Sequence, residues 1–299
     1  MTDAQPWRAA VARSRDADRD ASRSRELEVL MPAVWCRWLP LALAMTLAGA
    51  AGPLPVSVPV TPVPGSRQPD RPYDATLTLP DGTGKFPVVI LLHGCSGEKP
   101  GQRFWIDRLS GWGYAVLRLD SFSARGVETV CAPALQPLVT AVDRSGDVIS
   151  AALWLRNQLQ IDGARIGVLG DSHGGGTAVT VTRRQYEVLY PRLLKAAVAY
   201  YGPCRSPELH GTVPLLALAG DADTWGFPAR TCTEFAAALR ADQPMTVKVY
   251  PGVMHAFDVL NAGRMTYSEG HRMQYNAAAA EDSYTQVKAF LAHYLGGSP

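Results

Sequence analysis

The sequence predicts an α/β fold with a mostly parallel central sheet and helices on both faces. Short apolar runs rich in β-branched residues alternate with amphipathic stretches of helical period, and small or polar residues follow the runs directly. Phe86 to Leu92 reads as a buried strand because no polar residue interrupts it. Tyr114–Leu119, Arg165–Leu169, Ala196–Tyr200, Pro214–Leu218 and Met245–Tyr250 read as the next five. Ala75–Leu79 alternates weakly and is expected to add a half-exposed strand. Between them, Val148, Ala152, Leu155 and Leu159 fall on one helical stripe. Cys232, Phe235, Ala236 and Leu239 fall on a second, and Tyr284, Val287, Leu291 and Tyr294 on a third. In such sheets ligands bind beyond the carboxyl ends of the strands, so the residues just after each apolar run carry the functional information.

The N-terminal part has a different texture. Residues 1–30 are rich in Arg and Asp without apolar periodicity and are expected to form a disordered extension. Residues 31–50 combine Arg37, the apolar run from Trp38 to Ala48 and the small residues Ala48-Gly49-Ala50, the pattern of an export signal cleaved near Ala50 or Ala51. The run is shorter than the roughly 20 residues of a membrane-spanning helix, so no stable membrane anchor is expected. Residues 51–72 are Pro-rich and read as an extended linker, which leaves 73–299 as the folded domain. A formal net charge of +2 gives no electrostatic case for a nucleic-acid partner. The six histidines and five cysteines show no CxxC or HExxH spacing, which argues against a local metal site, and no cofactor is expected.

Chemistry concentrates at the strand ends. Gly170-Asp171-Ser172-His173-Gly174 follows the run Ile166–Leu169 and matches GxSxG, in which a serine sits on a sharp strand-to-helix turn. Chance produces such a match in about one chain in ten of this size, so its placement between strand and helix carries the weight. His93-Gly94-Cys95 follows the first buried run and is suited to an oxyanion loop. The backbone N–H groups of Cys95 and of His173, the residue after the serine, are the expected donors. Gly220-Asp221-Ala222-Asp223 and Pro251-Gly252-Val253-Met254-His255 follow two later strands. Ser172, an aspartate at 221 or 223, and His255 thus occur in the chain order of an α/β-hydrolase. A serine hydroxyl needs an imidazole to take its proton and a carboxylate to fix that imidazole's tautomer. Of the other histidines, His210, His271 and His293 are expected at the surface, and His93 and His173 beside the site.

From Phe86 to Asp258 the sequence resembles the dienelactone hydrolase family of α/β-hydrolases. The residues that carry the resemblance are Leu92-His93-Gly94-Cys95, Gly113-Tyr114-Ala115-Val116, Asp120-Ser121-Phe122, Gly170–Gly174, Gly220–Asp223 and Tyr250–Phe257. It implies Asp223 as the acid, His255 as the base and Arg125 as a loop residue that binds an acidic substrate group. Dienelactone hydrolases proper use a cysteine nucleophile and carry a glutamate in the loop after the first buried strand. Here those positions are Ser172 and Gly94. A serine esterase acting on small or medium carboxylic esters fits this variant better than a dienelactone substrate. Trp225, with its neighbours to Phe227, the stretch Phe122–Pro137 and Tyr186–Arg192 are expected to shape the substrate pocket.

Removal of the signal would leave Cys95, Cys131, Cys204 and Cys232, an even number consistent with two disulfides in an exported protein. Spacing leaves three connectivities open. Cys95 with Cys131 and Cys204 with Cys232 is favoured because each pair would join loops at the same sheet edge. An oligopeptidase of related fold is the alternative enzyme, and a non-catalytic exported binding module is the alternative without chemistry.

Overall fold

The structure is a computed structural model that describes residues 52–98, 102–260 and 266–296. The expected N-terminal extension and export signal, residues 1–50, lie outside the described residues. Eight strands form one sheet: β1 (Leu54–Val58), β2 (Tyr73–Thr78), β3 (Phe86–Leu92), β4 (Ala115–Leu119), β5 (Ile161–Asp171), β6 (Ala196–Tyr200), β7 (Leu215–Gly220) and β8 (Met245–Tyr250), in the order β1-β2-β4-β3-β5-β6-β7-β8. β1 pairs antiparallel with β2 and β2 with β4, and every other pairing in this sheet is parallel. The six strands expected from apolar runs are β3 to β8, and the weakly alternating segment is β2. A hairpin of β9 (Thr266–Ser268) and β10 (His271–Met273), too short to leave a pattern in the sequence, stands apart from the sheet.

Alternation along β3 divides the interior into two cores. Val88, Ile90 and Leu92 face one, where α2 (Ala141–Leu155), α3 (His173–Val181) and α5 (Pro228–Ala237) contribute Val148, Ala152, Ala178, Cys232 and Phe235. Val89 and Leu91 face the other, closed by Trp105 and Leu109 of α1 (Arg103–Gly111) and by Tyr284, Val287 and Leu291 of α6 (Ala277–Leu295). A short helix, α4 (Arg184–Leu189), follows α3. The start of α2 is fixed by a capping box between Thr140 and Asp143. The predicted stripe overshoots its end: Leu159 lies beyond α2 and is 85% exposed. No helix among the described residues is long and apolar enough to cross a membrane.

The Pro-rich segment is not a free spacer. Prolines do not prevent Leu54–Val58 from pairing at the sheet edge, where half of a strand's N–H groups need no partner. Val58 and Val63 are buried in the first core. Further along, Thr61 N–H donates to Ser150 Oγ (3.1 Å), and Arg67 grips Asp143 through Nε (3.1 Å) and Nη2 (2.6 Å). Burial pushes the Asp143 carboxyl up, but the bonds from Arg67 and Thr140 outweigh it and hold it below the usual range. Polar side chains of a proline-rich stretch leave no periodic signature, so this packing was invisible in the sequence.

A chain shortened to begin at Tyr73 loses β1 and the burial of Val58 and Val63. Its unfolding free energy in urea is expected to fall by more than about 3 kcal/mol, two valines' worth of apolar burial. A chain beginning at Gly52 is expected to match the full-length domain.

Candidate active site

Register brings the functional loops to one rim. Leu92 pairs with Leu119 and with Gly170, Asp171 with Tyr200, and Gly220 with Tyr250, so the residues after β3, β5, β6, β7 and β8 emerge side by side. Ser172 turns between β5 and α3 with φ 52° and ψ −113°, a backbone conformation that costs a non-glycine residue about 1–3 kcal/mol. The surroundings impose it. Ser172 N–H donates to Tyr200 O (2.9 Å), and Gly176 N–H to Ser172 O (2.9 Å). Gly174 presses on the Leu92 and His93 carbonyls, and a Cβ there would stand 2.7 Å from His93 O. Gly170 packs as tightly against the Gly174 carbonyl, so the turn admits no side chain at either position.

The three side chains expected to converge do so. Ser172 Oγ lies 3.0 Å from His255 Nε2, and His255 Nδ1 lies 2.7 Å from Asp223 Oδ2. The carboxylate fixes the tautomer: Nδ1–H donates to Asp223, which leaves Nε2 free to accept from the serine. The choice between Asp221 and Asp223 is resolved by geometry, because Asp221 Oδ1 accepts from Gly252 N–H (2.6 Å) in an exposed turn. Asp223 is buried and its second oxygen accepts from Trp225 N–H (2.7 Å).

The N–H groups of Cys95 and His173 have no protein acceptor among the described residues, as oxyanion donors require. The loop that presents Cys95 is held from both sides. His93 Nδ1–H donates to Gly94 O (2.8 Å), Ser121 N–H donates to His93 Nε2 (3.2 Å), and Val130 N–H donates to Cys95 O (2.8 Å). His173 is held through its ring, whose Nδ1 accepts from Nη1 of the wholly buried Arg144 (2.8 Å). Burial, with Arg144 adding to it, brings the His173 imidazole down to about 3, so it stays neutral. Both favoured disulfides are present: Cys95 with Cys131, on the oxyanion loop, and Cys204 with Cys232.

Arg125 does not reach a substrate. Its guanidinium forks onto the buried Asp147 (2.8 and 2.7 Å) and also donates to Ser121 O (2.6 Å) and Arg67 O (2.9 Å). The expectation of a carboxylate-binding arginine fails because that valence is spent inside the protein. Tyr186–Arg192 is also misplaced by the sequence reading, since it lines a separate cavity shared with His293 and Tyr294. His210 is buried rather than exposed, within 2.8 Å of Thr182 Oγ1. His271, on the unforeseen hairpin, stacks on Trp225 with 5.1 Å between ring centroids.

Trp225 does stand at the site, its ring 5.0 Å from that of His255, and it lines two cavities that both border Ser172. These measure about 210 and 220 Å³ and share the Cys95–Cys131 disulfide and Tyr201 as a wall. Tyr201 was missed although it follows β6 at the same rim. Its ring packs 4.6 Å from His255, and its hydroxyl donates to Asp258 Oδ1 (2.8 Å). The strand-end rule applied to the fourth apolar run would have found it. No group of His, Cys, Asp or Glu among the described residues is arranged to hold a metal ion.

Sheet order, strained serine turn and the meeting of hydroxyl, imidazole and carboxylate together define an α/β-hydrolase. The sequence pattern of the dienelactone hydrolase family matches residues 73–295, and the chain belongs to that family. Similar folds include a protein of Klebsiella pneumoniae assigned as a dienelactone hydrolase (23% identity, TM-score 0.64, covering 81% of this chain and 98% of that one). Another is P91, a dienelactone hydrolase-like promiscuous phosphotriesterase from metagenomic libraries (19%, TM-score 0.63, 83% and 100%). Thermogutta terrifontis esterase 2, in a form phosphorylated by paraoxon, is a third (16%, TM-score 0.60, 84% and 97%). No curated protein matches the sequence.

Arg125→Ala is expected to act on stability, lowering the unfolding free energy by about 3–5 kcal/mol because it strands the buried Asp147 charge. Michaelis constants of neutral and acidic esters are expected to shift in parallel, if at all, in steady-state assays of the folded variant.

Proposed function

We propose that this hydrolase is a serine esterase that cleaves small or medium carboxylic esters through an acyl-enzyme. The observation that carries the reading is the chain of contacts from Ser172 Oγ through His255 to Asp223, at 3.0 and 2.7 Å. Ser172 Oγ attacks the ester carbonyl while its proton passes to His255 Nε2. The carbonyl oxygen becomes an oxyanion facing the N–H groups of Cys95 and His173. Collapse breaks the bond to the alkoxy oxygen, which takes the proton from His255 and leaves as the alcohol. Water then repeats the sequence on the acyl-serine and releases the acid, returning the proton to Ser172. Asp223 orients the ring and stabilises its cationic form throughout.

Two cavities of about 210 and 220 Å³ that border Ser172 suit an acyl and an alcohol portion of modest size, which supports ester over peptide substrates. Two disulfides at the rim support the proposal that the chain is exported to an oxidising compartment after loss of its first fifty or so residues.

Hydrolysis of short-chain 4-nitrophenyl esters tests the reading. Ser172→Ala and His255→Ala are each expected to lower kcat by about 10⁴-fold or more, and Asp223→Asn by about 10⁴-fold, with circular dichroism unchanged. Wild-type protein inert toward every ester, or a Ser172→Ala variant of undiminished activity, would refute it.

A further inference from the structure

The cavity that Ser172 shares with Gln102 and Trp105 has a pronounced chemical bias. Phe104, Trp105, Tyr201 and Trp225 supply aromatic walls, Asp171 and Asp258 supply carboxyl groups, and among the described residues no lysine or arginine lines it. The arginine that would have welcomed an acid is committed to Asp147. Asp171, the residue directly before the nucleophile, is partly accessible from this cavity. Its Oδ1 accepts from Gln102 Nε2 (2.9 Å), whereas Oδ2 has no hydrogen-bond donor among the described residues. That free oxygen is a near neighbour of the reacting centre: the position a Gly94 side chain would take is 2.8 Å from Asp171 Oδ2 and 3.6 Å from Ser172 Cβ.

Gln102 adds a second, independent sign. Only 9% of the residue is exposed, and its Oε1 is buried without a partner among the described residues. An acceptor left unpaired in that position is costly unless a ligand or water donates to it. Asp258 is 1% exposed, and both its oxygens are taken, by Trp105 Nε1 (3.1 Å) and Tyr201 Oη (2.8 Å). It therefore offers a ligand no free oxygen, and burial raises its carboxyl above the usual range. Burial raises the Asp171 carboxyl to about 6, which still leaves it mostly ionised at neutral pH. The ionisable groups that act on it are Asp258, Arg144 and His255, and Arg144 is turned toward the His173 ring.

An ionised carboxylate with one oxygen unpaired, a buried amide oxygen without a donor among the described residues and four aromatic walls describe a site for a positive group. An ammonium gains charge pairing with Asp171, a quadrupole attraction from the rings and, where it carries protons, bonds to Asp171 Oδ2 and Gln102 Oε1. We propose that, within the esterase reading above, the cavity selects esters bearing an ammonium group a few bonds from the scissile carbonyl. The cation also assists the chemistry. An ionised Asp171 beside the carbonyl opposes the negative charge that grows on its oxygen, and an ammonium held between them cancels that opposition. Its advantage should therefore appear in kcat as well as in KM.

Two pairs of matched esters test this on the full chain: acetylcholine against its neutral isostere 3,3-dimethylbutyl acetate, and ethyl 4-aminobutanoate against ethyl pentanoate. In at least one pair kcat/KM is expected to favour the cation by about tenfold or more. Asp171→Asn is expected to bring that ratio below about threefold, a readout that cancels any general loss of activity. Choline should inhibit hydrolysis of the neutral ester competitively and bind in calorimetry without turnover, a measurement that needs no variant to fold. Neutral esters turned over with no cation preference in either pair and no choline binding would overturn the proposal and leave the esterase reading standing. Choline bound by a protein that hydrolyses no ester would support the cation site and contradict the esterase reading instead.

Discussion

Close approach of three backbone segments at the serine turn is the constraint on which the site depends. The first turn of α3 lies against the carbonyls that end β3, and Tyr200 at the end of β6 accepts the Ser172 N–H. That contact is open only to glycine at positions 170 and 174, and it forces Ser172 to a positive φ. The strain is repaid by packing of the sheet beneath, where β3, β6 and the second half of β5 are almost wholly buried. One consequence is chemical. The hydroxyl is lifted clear of the sheet toward His255, while the N–H of His173 opens the helix with no partner among the described residues.

Around this point the protein invests buried polar groups rather than loops. Arg144 is fully buried beneath the turn, and desolvation lowers its guanidinium to about 10, still charged at neutral pH. It holds the His173 ring, while Arg125 and Asp147 form a second buried pair nearby. Removing one partner of such a pair is far more damaging than its net contribution suggests, because the remaining charge stays desolvated. This arrangement rigidifies the loops that carry the N–H groups of Cys95 and His173, and rigidity there is what electrostatic stabilisation of a transition state requires.

Much of this was legible in the sequence, for physical reasons that differ from residue to residue. Strands β3, β6 and β7 are almost wholly buried, as are most of β4 and the second half of β5, and only the edge strand β8 is mostly half-exposed; all six still appear as apolar runs, and the residues after them could be read off in order. Ser172, His255 and the pair Asp221 and Asp223 were found this way. What escaped falls into two kinds. Side chains whose role depends on a distant partner, such as Arg125 on Asp147 or His210 on Thr182, look the same in sequence whether exposed or buried. Segments held by polar contacts rather than by an apolar stripe, such as residues 59–68 on α2 and the β9–β10 hairpin beside His255, leave no period to read. The aromatic and acidic cavity belongs to both kinds, since Trp105, Asp171, Tyr201 and Asp258 come from four separate parts of the chain.

The central claim is that this geometry makes one hydroxyl uncommonly reactive. Peptide mapping by mass spectrometry after exposure to a fluorophosphonate addresses it directly, because the reagent marks whichever nucleophile the protein activates. A single adduct on the peptide that contains Ser172, absent after His255→Ala, is the expected result. An adduct on any other residue, or a folded wild-type protein that takes up no label, would contradict the account.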